Sequence, residues 1–131
     1  MTVVDSSAVI AVLRAEADAR VYAEALQRIL PLFMSAGTLL EIGTVVLHKR
    51  GANRLSDMFR MIERSRIEIV AVSERHARDA IDAYGRFGKS TRHPAQLNFG
   101  DCFSYALAKA LDQPLLYKGQ DFSQTDIRSA L

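Results

Sequence analysis

Short apolar runs alternate along the chain with longer stretches in which apolar residues recur every three or four positions. Compact β-branched or aromatic runs predict buried strands, and the longer spacing predicts helices. The strand candidates are Thr2–Val4, Leu32–Met34, Ile67–Val72 and Leu115–Tyr117. Helical stretches separate them, so the pattern predicts an α/β fold with right-handed crossovers and a mostly parallel central sheet covered on both faces.

The predicted helices differ in how much apolar surface they carry. Ala8–Leu13 follows the first strand directly, and Ala17–Leu30 ends at Pro31. Ser35–Arg50 is apolar around nearly its whole circumference, which predicts a largely buried helix that stops at Gly51. The remaining helices are Ala52–Arg66, which has one apolar stripe, a helix capped by Ser73, and one that begins near Asp101 and carries Phe103, Ala106, Leu107, Ala110 and Leu111 on one face.

Composition narrows the class of protein. The 131 residues are 49% hydrophobic, with no repeat or linker, which predicts one domain spanning 1–131. A net charge of +2 permits an RNA partner without requiring one, and any such affinity must come from local basic clusters. A single cysteine, Cys102, excludes a disulfide within the chain, and the three histidines lack zinc-ligand spacing. Without a signal peptide or a membrane-spanning stretch, we expect a soluble, cytoplasmic protein with no membrane partner.

Four acidic residues stand where an α/β chain gathers functional groups. Asp5 and Asp121 follow strand candidates, Asp101 opens a helix directly after Gly100, and Glu41 interrupts an apolar helix. The carboxyl ends of parallel strands share one sheet edge, so we expect the four carboxylates to converge there. Plain helix capping is the alternative interpretation for Asp5 with its two serines and for Asp101. Glu41 is the most informative acid, because burying a lone carboxylate is costly.

Converging carboxylates raise one another's pKa unless a cation neutralises them. Oxygen ligands without histidine or thiolate favour Mg²⁺ or Mn²⁺, and such ions activate water and neutralise charge in phosphodiester chemistry. A basic, glycine-punctuated loop, 85–94, runs directly into the Asn98–Asp101 segment. Its cations Arg86, Lys89 and Arg92, with His93, are candidates for binding RNA phosphates, since an acidic pocket by itself repels RNA.

The order and spacing of these motifs resemble the PIN-domain ribonucleases and, within them, the VapC toxins of bacterial toxin–antitoxin pairs. The matching motifs are Val4–Ser7, Glu41, Leu97–Asp101, Lys118–Phe122 and Thr125–Ile127. The resemblance implies a three-layer α/β/α fold, one or two Mg²⁺ or Mn²⁺ ions bound by the catalytic acids Asp5, Glu41, Asp101 and Asp121, and supporting roles for Ser7 and Asn98.

The same resemblance implies an endoribonuclease that hydrolyses RNA with a metal-activated water, a homodimeric toxin, and a cognate VapB-type antitoxin in a larger complex. An alternative is a PIN-like domain that binds RNA or a partner protein without cleaving. Two other classes fit poorly. Dehalogenase-like phosphatases need an aspartate where Ser7 stands, and metal-dependent adhesion modules need a serine where Val9 stands.

Overall fold

A computed structural model describes all residues, 1–131. Its strands are β1 (Thr2–Val4), β2 (Leu32–Ser35), β3 (Ile67–Val70) and β4 (Leu115–Leu116). Its helices are α1 (Ser6–Leu13), α2 (Ala19–Arg28), α3 (Ala36–Arg50), α4 (Ala52–Arg64), α5 (Glu74–Phe87) and α6 (Phe99–Leu111), and a short 3₁₀ turn spans Phe122–Gln124. All four strands are parallel, in the order β3-β2-β1-β4.

The sheet separates two apolar layers, because successive strand residues point to opposite faces. Val4 belongs to a core formed with α1–α4, whereas its neighbour Val3 belongs to a second core formed with α5 and α6. On β4, Leu116 belongs to the first of these cores and Leu115 to the second. The predicted α/β/α fold with a parallel sheet is confirmed.

Two local predictions are wrong. α3 is not largely buried: only one face packs on the protein, leaving Leu40 68% and Leu47 48% exposed. No element covers the outer face, which a pattern of apolar residues alone does not reveal. The irregular loop predicted for 85–94 begins later, because α5 continues to Phe87 and places Arg86 in its last turn.

The remaining boundaries move by a few residues. α2 is shorter than predicted at both ends, α4 and β3 each end two residues early, and Ser35 ends β2 and caps α3. The tail adds a single parallel bridge between Ser129 and Leu115, at the β4 edge of the sheet. None of the helices combines the length and the hydropathy that crossing a bilayer requires.

Candidate active site

Asp5 is held at the carboxyl end of the central strand β1. It is only 2% exposed and is the N-cap of α1. Its Oδ2 accepts hydrogen bonds from the Ser7 backbone N–H (3.1 Å) and the Ser7 hydroxyl (2.6 Å), and its Oδ1 accepts one from the Ser104 hydroxyl (2.6 Å). Asp5 therefore does cap α1, as the alternative interpretation expects. Its carboxylate also accepts hydrogen bonds from two hydroxyl groups, which capping does not require.

Asp101 closes a capping box at the start of α6. Its Oδ2 accepts from the Asn98 backbone N–H (3.0 Å), while the Asn98 side chain accepts from the Asp101 N–H (2.9 Å). Burial, joined by the negative charges of Asp5, Asp121 and Glu41, raises the pKa of Asp101 to about 7, although the hydrogen bond from Asn98 opposes the rise. Asn98 thus holds this carboxylate through its backbone, whereas its amide caps the helix.

Glu41 reaches the site from the second turn of α3. Its carboxylate lies against the backbone of Gly100, so closely that a Cβ on Gly100 would overlap Oε2. Only glycine permits this approach. Burial raises the pKa of Glu41, the Ser6 hydroxyl opposes that rise, and the charge of Asp5 adds to it.

Asp121 is the exposed member of the set of acids. It follows β4 and a turn at Gly119, whose φ of +109° is a conformation that favours glycine. Its charge adds to the effect of burial in raising the pKa of Asp101, which places it within electrostatic range of that carboxyl group. Three acids on three elements therefore meet at the carboxyl edge of the sheet, and a fourth lies at their margin.

This donor set suits a hard divalent cation. Besides burial, the negative charge of Asp5 raises the pKa of both Glu41 and Asp101, so a cation between these groups removes the repulsion, and oxygen ligands without thiolate or imidazole favour Mg²⁺ or Mn²⁺. No three acidic, histidine or cysteine side chains stand in ready-made ligand geometry. Such a site would then use few carboxylates and several waters, as Mg²⁺ commonly does.

Of the two supporting residues, Asn98 contacts Asp101, whereas Ser7 contacts both Asp5 and the loop after β4. Ser7 donates to Asp5 and accepts from the Lys118 backbone N–H (2.9 Å), which ties the loop after β4 to the start of α1. The Lys118 ammonium binds Glu16 (2.9 Å) and Asp18 (2.7 Å), and these two carboxylates raise its pKa. The segment that carries Asp121 is thereby anchored at Lys118.

Ser104 and Thr38 are site residues that sequence reasoning missed. Both are fully buried, and their hydroxyls are 3.0 Å apart although the residues are 66 positions apart in the chain. Each is a polar residue among apolar helical neighbours, the same signal that singled out Glu41. Nothing in the sequence pairs one with the other, or Ser104 with Asp5.

The basic candidates are surface residues outside the acid cluster. Lys89 and Arg92 are exposed, whereas Arg86 forms an exposed ion pair with Asp82 (3.6 Å) and its guanidinium lies 4.7 Å from the Phe87 ring centre. His93 has a structural role, because its ring packs edge-on against Phe87 and its Nδ1 accepts the Ala95 N–H. A bridge between Gly88 and Leu97 fixes the base of this loop one residue before the α6 cap.

Comparison with known proteins agrees with this architecture. The PIN domain family matches residues 2–128. The chain therefore belongs to the PIN-domain family. Its resemblance to the VapC group within that family is confirmed by two curated relatives from Mycobacterium tuberculosis. Ribonuclease VapC28 is 45% identical, over 98% of this chain and 97% of its own, and ribonuclease VapC42 is 40% identical, over 98% of both chains.

Solved structures show the same fold at low sequence identity. The M. tuberculosis toxin VapC20, described as cleaving the sarcin–ricin loop, superposes with a TM-score of 0.79 at 17% identity, covering 97% of this chain and 96% of its own. A toxin–antitoxin complex from Klebsiella pneumoniae gives a TM-score of 0.68 at 18% identity, covering 94% of this chain and 91% of that one.

Proposed function

We propose that this protein is a Mg²⁺- or Mn²⁺-dependent endoribonuclease that acts as the toxin of a toxin–antitoxin pair. The observation that carries the proposal is the meeting of Asp5, Glu41 and Asp101 at one sheet edge, with Asp121 at its rim. The names of the curated relatives, which are VapC ribonucleases, support the reaction class. Their near-complete mutual coverage means that the whole of this chain corresponds to the whole of theirs.

Asp5, Glu41, Asp101 and Asp121 would hold the cation, and the side chains around them orient these carboxylates. One or two divalent ions held there would supply a nucleophilic water at neutral pH and would neutralise charge on the attacked phosphate. Asp5 and Asp101 are already oriented by hydrogen bonds, so little reorganisation is needed on binding. No histidine lies beside the acids, so we expect 5′-phosphate and 3′-hydroxyl products and no 2′,3′-cyclic phosphate.

Cleavage of bacterial RNA by the purified protein tests this proposal. We expect cuts that require Mg²⁺ or Mn²⁺, stop in excess EDTA and vanish in Asp5→Asn. Asparagine also caps helices well, so this variant keeps α1 capped while removing the charge. Sequencing the RNA ends after brief induction in cells identifies the substrate. Cleavage that persists in EDTA contradicts the mechanism, and bound RNA without any new ends favours the non-cleaving alternative.

RNA must be held against the repulsion of four carboxylates. We propose that Arg86, Lys89 and Arg92 bind phosphates flanking the cut. Support for this assignment comes from the Gly88–Leu97 bridge, which ties the loop carrying Lys89 and Arg92 to the residue before the α6 cap, and from Arg86 in the last turn of α5 before that loop. Counterion release from such contacts makes binding salt-dependent.

The antitoxin partner is proposed to use two surfaces. An arginine entering the acid cleft pairs bidentately with two carboxylates and competes with the cation. A second surface is a groove of about 430 Å³ between α1–α2 and α3–α4. Its floor is apolar and includes Ile10, Leu13, Leu26, Val46 and Met61, and its rim carries six cations and one acid: Arg14, Lys49, Arg50, Arg54, Arg60, Arg64 and Asp57.

The groove does not use every apolar side chain of α3 and α4. None of Leu47, Leu55, Met58 and Phe59 lines it, and Met58 is fully buried. The charge balance of the rim favours a partner segment with apolar anchors flanked by acidic residues. Reversing Arg54 and Arg60 to glutamate should weaken the complex with the protein encoded beside this one, whereas Arg75→Glu on α5 should not.

The cleft-plugging arginine has a separate test. Its removal from the co-purified antitoxin should restore cleavage while the groove contacts keep the complex together. If inhibition survives both that removal and saturating Mg²⁺, the arginine mechanism is wrong, although docking in the groove can still hold.

We also propose that the protein forms a homodimer, on which larger toxin–antitoxin complexes are built. Leu40 on α3 is 68% exposed, and Phe99 on α6 is 76% exposed. The helices α3 and α6 pack against each other, and the two residues directly precede Glu41 and Gly100 in the chain. Exposed apolar residues in such positions favour association of two copies. Sedimentation of the wild type and of Phe99→Asp checks this: we expect a dimer and a monomer, and a monomeric wild type contradicts the proposal.

A further inference from the structure

Three buried groups from three elements form one directed chain of hydrogen bonds. Ser104 Oγ lies 2.6 Å from Asp5 Oδ1 and 3.0 Å from Thr38 Oγ1. A serine hydroxyl has one proton, and the Asp5 carboxylate can only accept. Ser104 therefore donates to Asp5, and Thr38 must donate to Ser104. We call this chain of hydrogen bonds, from Thr38 through Ser104 to Asp5, the hydroxyl relay.

The relay leaves one carboxylate oxygen with spare acceptor capacity. A carboxylate offers about four lone-pair positions, two on each oxygen. The Ser7 N–H and hydroxyl both occupy Oδ2, whereas Oδ1 accepts only the Ser104 hydroxyl. The free position is on Oδ1, so the atom best able to bind a cation is the one that Ser104 holds.

The relay also connects the elements that carry the other acids. Thr38 lies one turn before Glu41 on α3, and Ser104 lies one turn after Asp101 on α6. Both hydroxyls are fully buried and the structure contains no unpaired buried side-chain polar atom. Since bonds of this kind are strong and directional at low dielectric, the relay fixes α3 and α6 relative to the end of β1.

We propose that Ser104 and Thr38 are positioning residues that orient Asp5 Oδ1 for a divalent cation. The proposal rests on the metal-dependent function proposed above and concerns residues that neither the motifs nor the comparisons assign. Groups that hydrogen-bond a metal ligand commonly change metal affinity by about 10–100-fold when removed. Thr38 acts only through Ser104, so its removal should matter less and only while Ser104 is present.

Calorimetric titration of the RNA-free protein with Mn²⁺ tests the relay without relying on catalysis. We expect Ser104→Ala to weaken Mn²⁺ binding by about tenfold or more. Thr38→Val should weaken it less, and Thr38→Ser, which keeps the hydroxyl, should bind as the wild type does. The double variant Thr38→Val/Ser104→Ala should bind Mn²⁺ no more weakly than Ser104→Ala alone.

Thermal unfolding separates positioning from a general structural role. The double variant leaves no orphaned Thr38 hydroxyl, so it should recover stability relative to Ser104→Ala without recovering Mn²⁺ affinity. Ser35→Ala is the matched control, because Ser35 is another buried hydroxyl, which caps α3 without contacting Asp5. It should lower the melting temperature and leave Mn²⁺ binding unchanged.

The outcomes distinguish the relay from the function on which it rests. Wild-type protein that binds no Mn²⁺ contradicts both proposals. Wild-type binding with Ser104→Ala within twofold of it contradicts only the relay, as does equal loss in Thr38→Ser and Thr38→Val. If Ser104→Ala does not fold, the two Thr38 variants decide the question.

Discussion

Replacing Gly100 with alanine should separate activity from stability. A Cβ at this position overlaps Glu41 Oε2 and comes within 2.8 Å of Oε1, so the carboxylate must leave its place. Gly100 lies within α6 without a positive φ, where alanine is the better helix former by up to about 1 kcal/mol. Because the displaced group is the end of a flexible side chain, we expect stability to stay within about 1 kcal/mol of the wild type.

The catalytic cost follows from the displacement. Moving a reacting group by roughly an ångström can lower a rate by about 100-fold, which is about 3 kcal/mol of activation free energy. Single-turnover RNA cleavage and Mn²⁺ titration measure this loss, and circular dichroism follows unfolding. Gly85→Ala is the matched control, since Gly85 is a helical glycine whose added Cβ meets no atom within 4 Å. It should stabilise the fold slightly and cleave normally.

A second variant tests whether the effect passes through Glu41. In a Glu41→Ala background the added methyl meets no carboxylate, so Gly100→Ala should cause no further loss. A folded Gly100→Ala that cleaves within twofold of the wild type would refute the reasoning. So would a Gly100→Ala effect of undiminished size in the Glu41→Ala background.

Three further predictions concern charge. Because the folded-state pKa of Asp101 is raised from 3.8 to about 7, its contribution to the free energy of unfolding is present below pH 4 and is lost as pH rises through 7, by up to about 4 kcal/mol. Denaturant unfolding from pH 4 to 8 measures this slope, which Asp101→Asn should flatten. Saturating Mn²⁺ should restore stability at pH 8 by binding the ionised site; an unchanged midpoint contradicts this. Replacing Arg86, Lys89 and Arg92 together with alanine should weaken RNA binding and reduce its salt dependence; an unchanged salt slope shows that the loop does not bind phosphates.

Much of the fold and part of the site follow from patterns that are local in the sequence. Alternating strands and helices were enough to predict the parallel sheet, and Glu41 stood out because a carboxylate interrupts an apolar helix. Asp5 could be placed because strand ends share one edge. Such inferences need only periodicity and the known geometry of βα units.

What sequence reasoning missed depends on packing between distant segments. Ser104 and Asp5 are 99 positions apart, and no local signal pairs them. The exposure of Leu40 reflects the lack of a neighbouring element, which hydrophobicity does not report. The sequence shows a glycine directly before Asp101, but the group that lies against it, Glu41, can be identified only in three dimensions.

Two of the four acids also cap helices, and this bears on how the proposed nuclease can be inactivated without being unfolded. Asp5 caps α1 and Asp101 closes the box that begins α6, so alanine at either position costs about 1 kcal/mol of stability as well as charge. Glu41 and Asp121 cap nothing through their side chains. Variants that lack activity and still fold should therefore arise at Glu41 or Asp121. Glu41→Gln is accordingly the preferred inactive form for producing the protein in living cells.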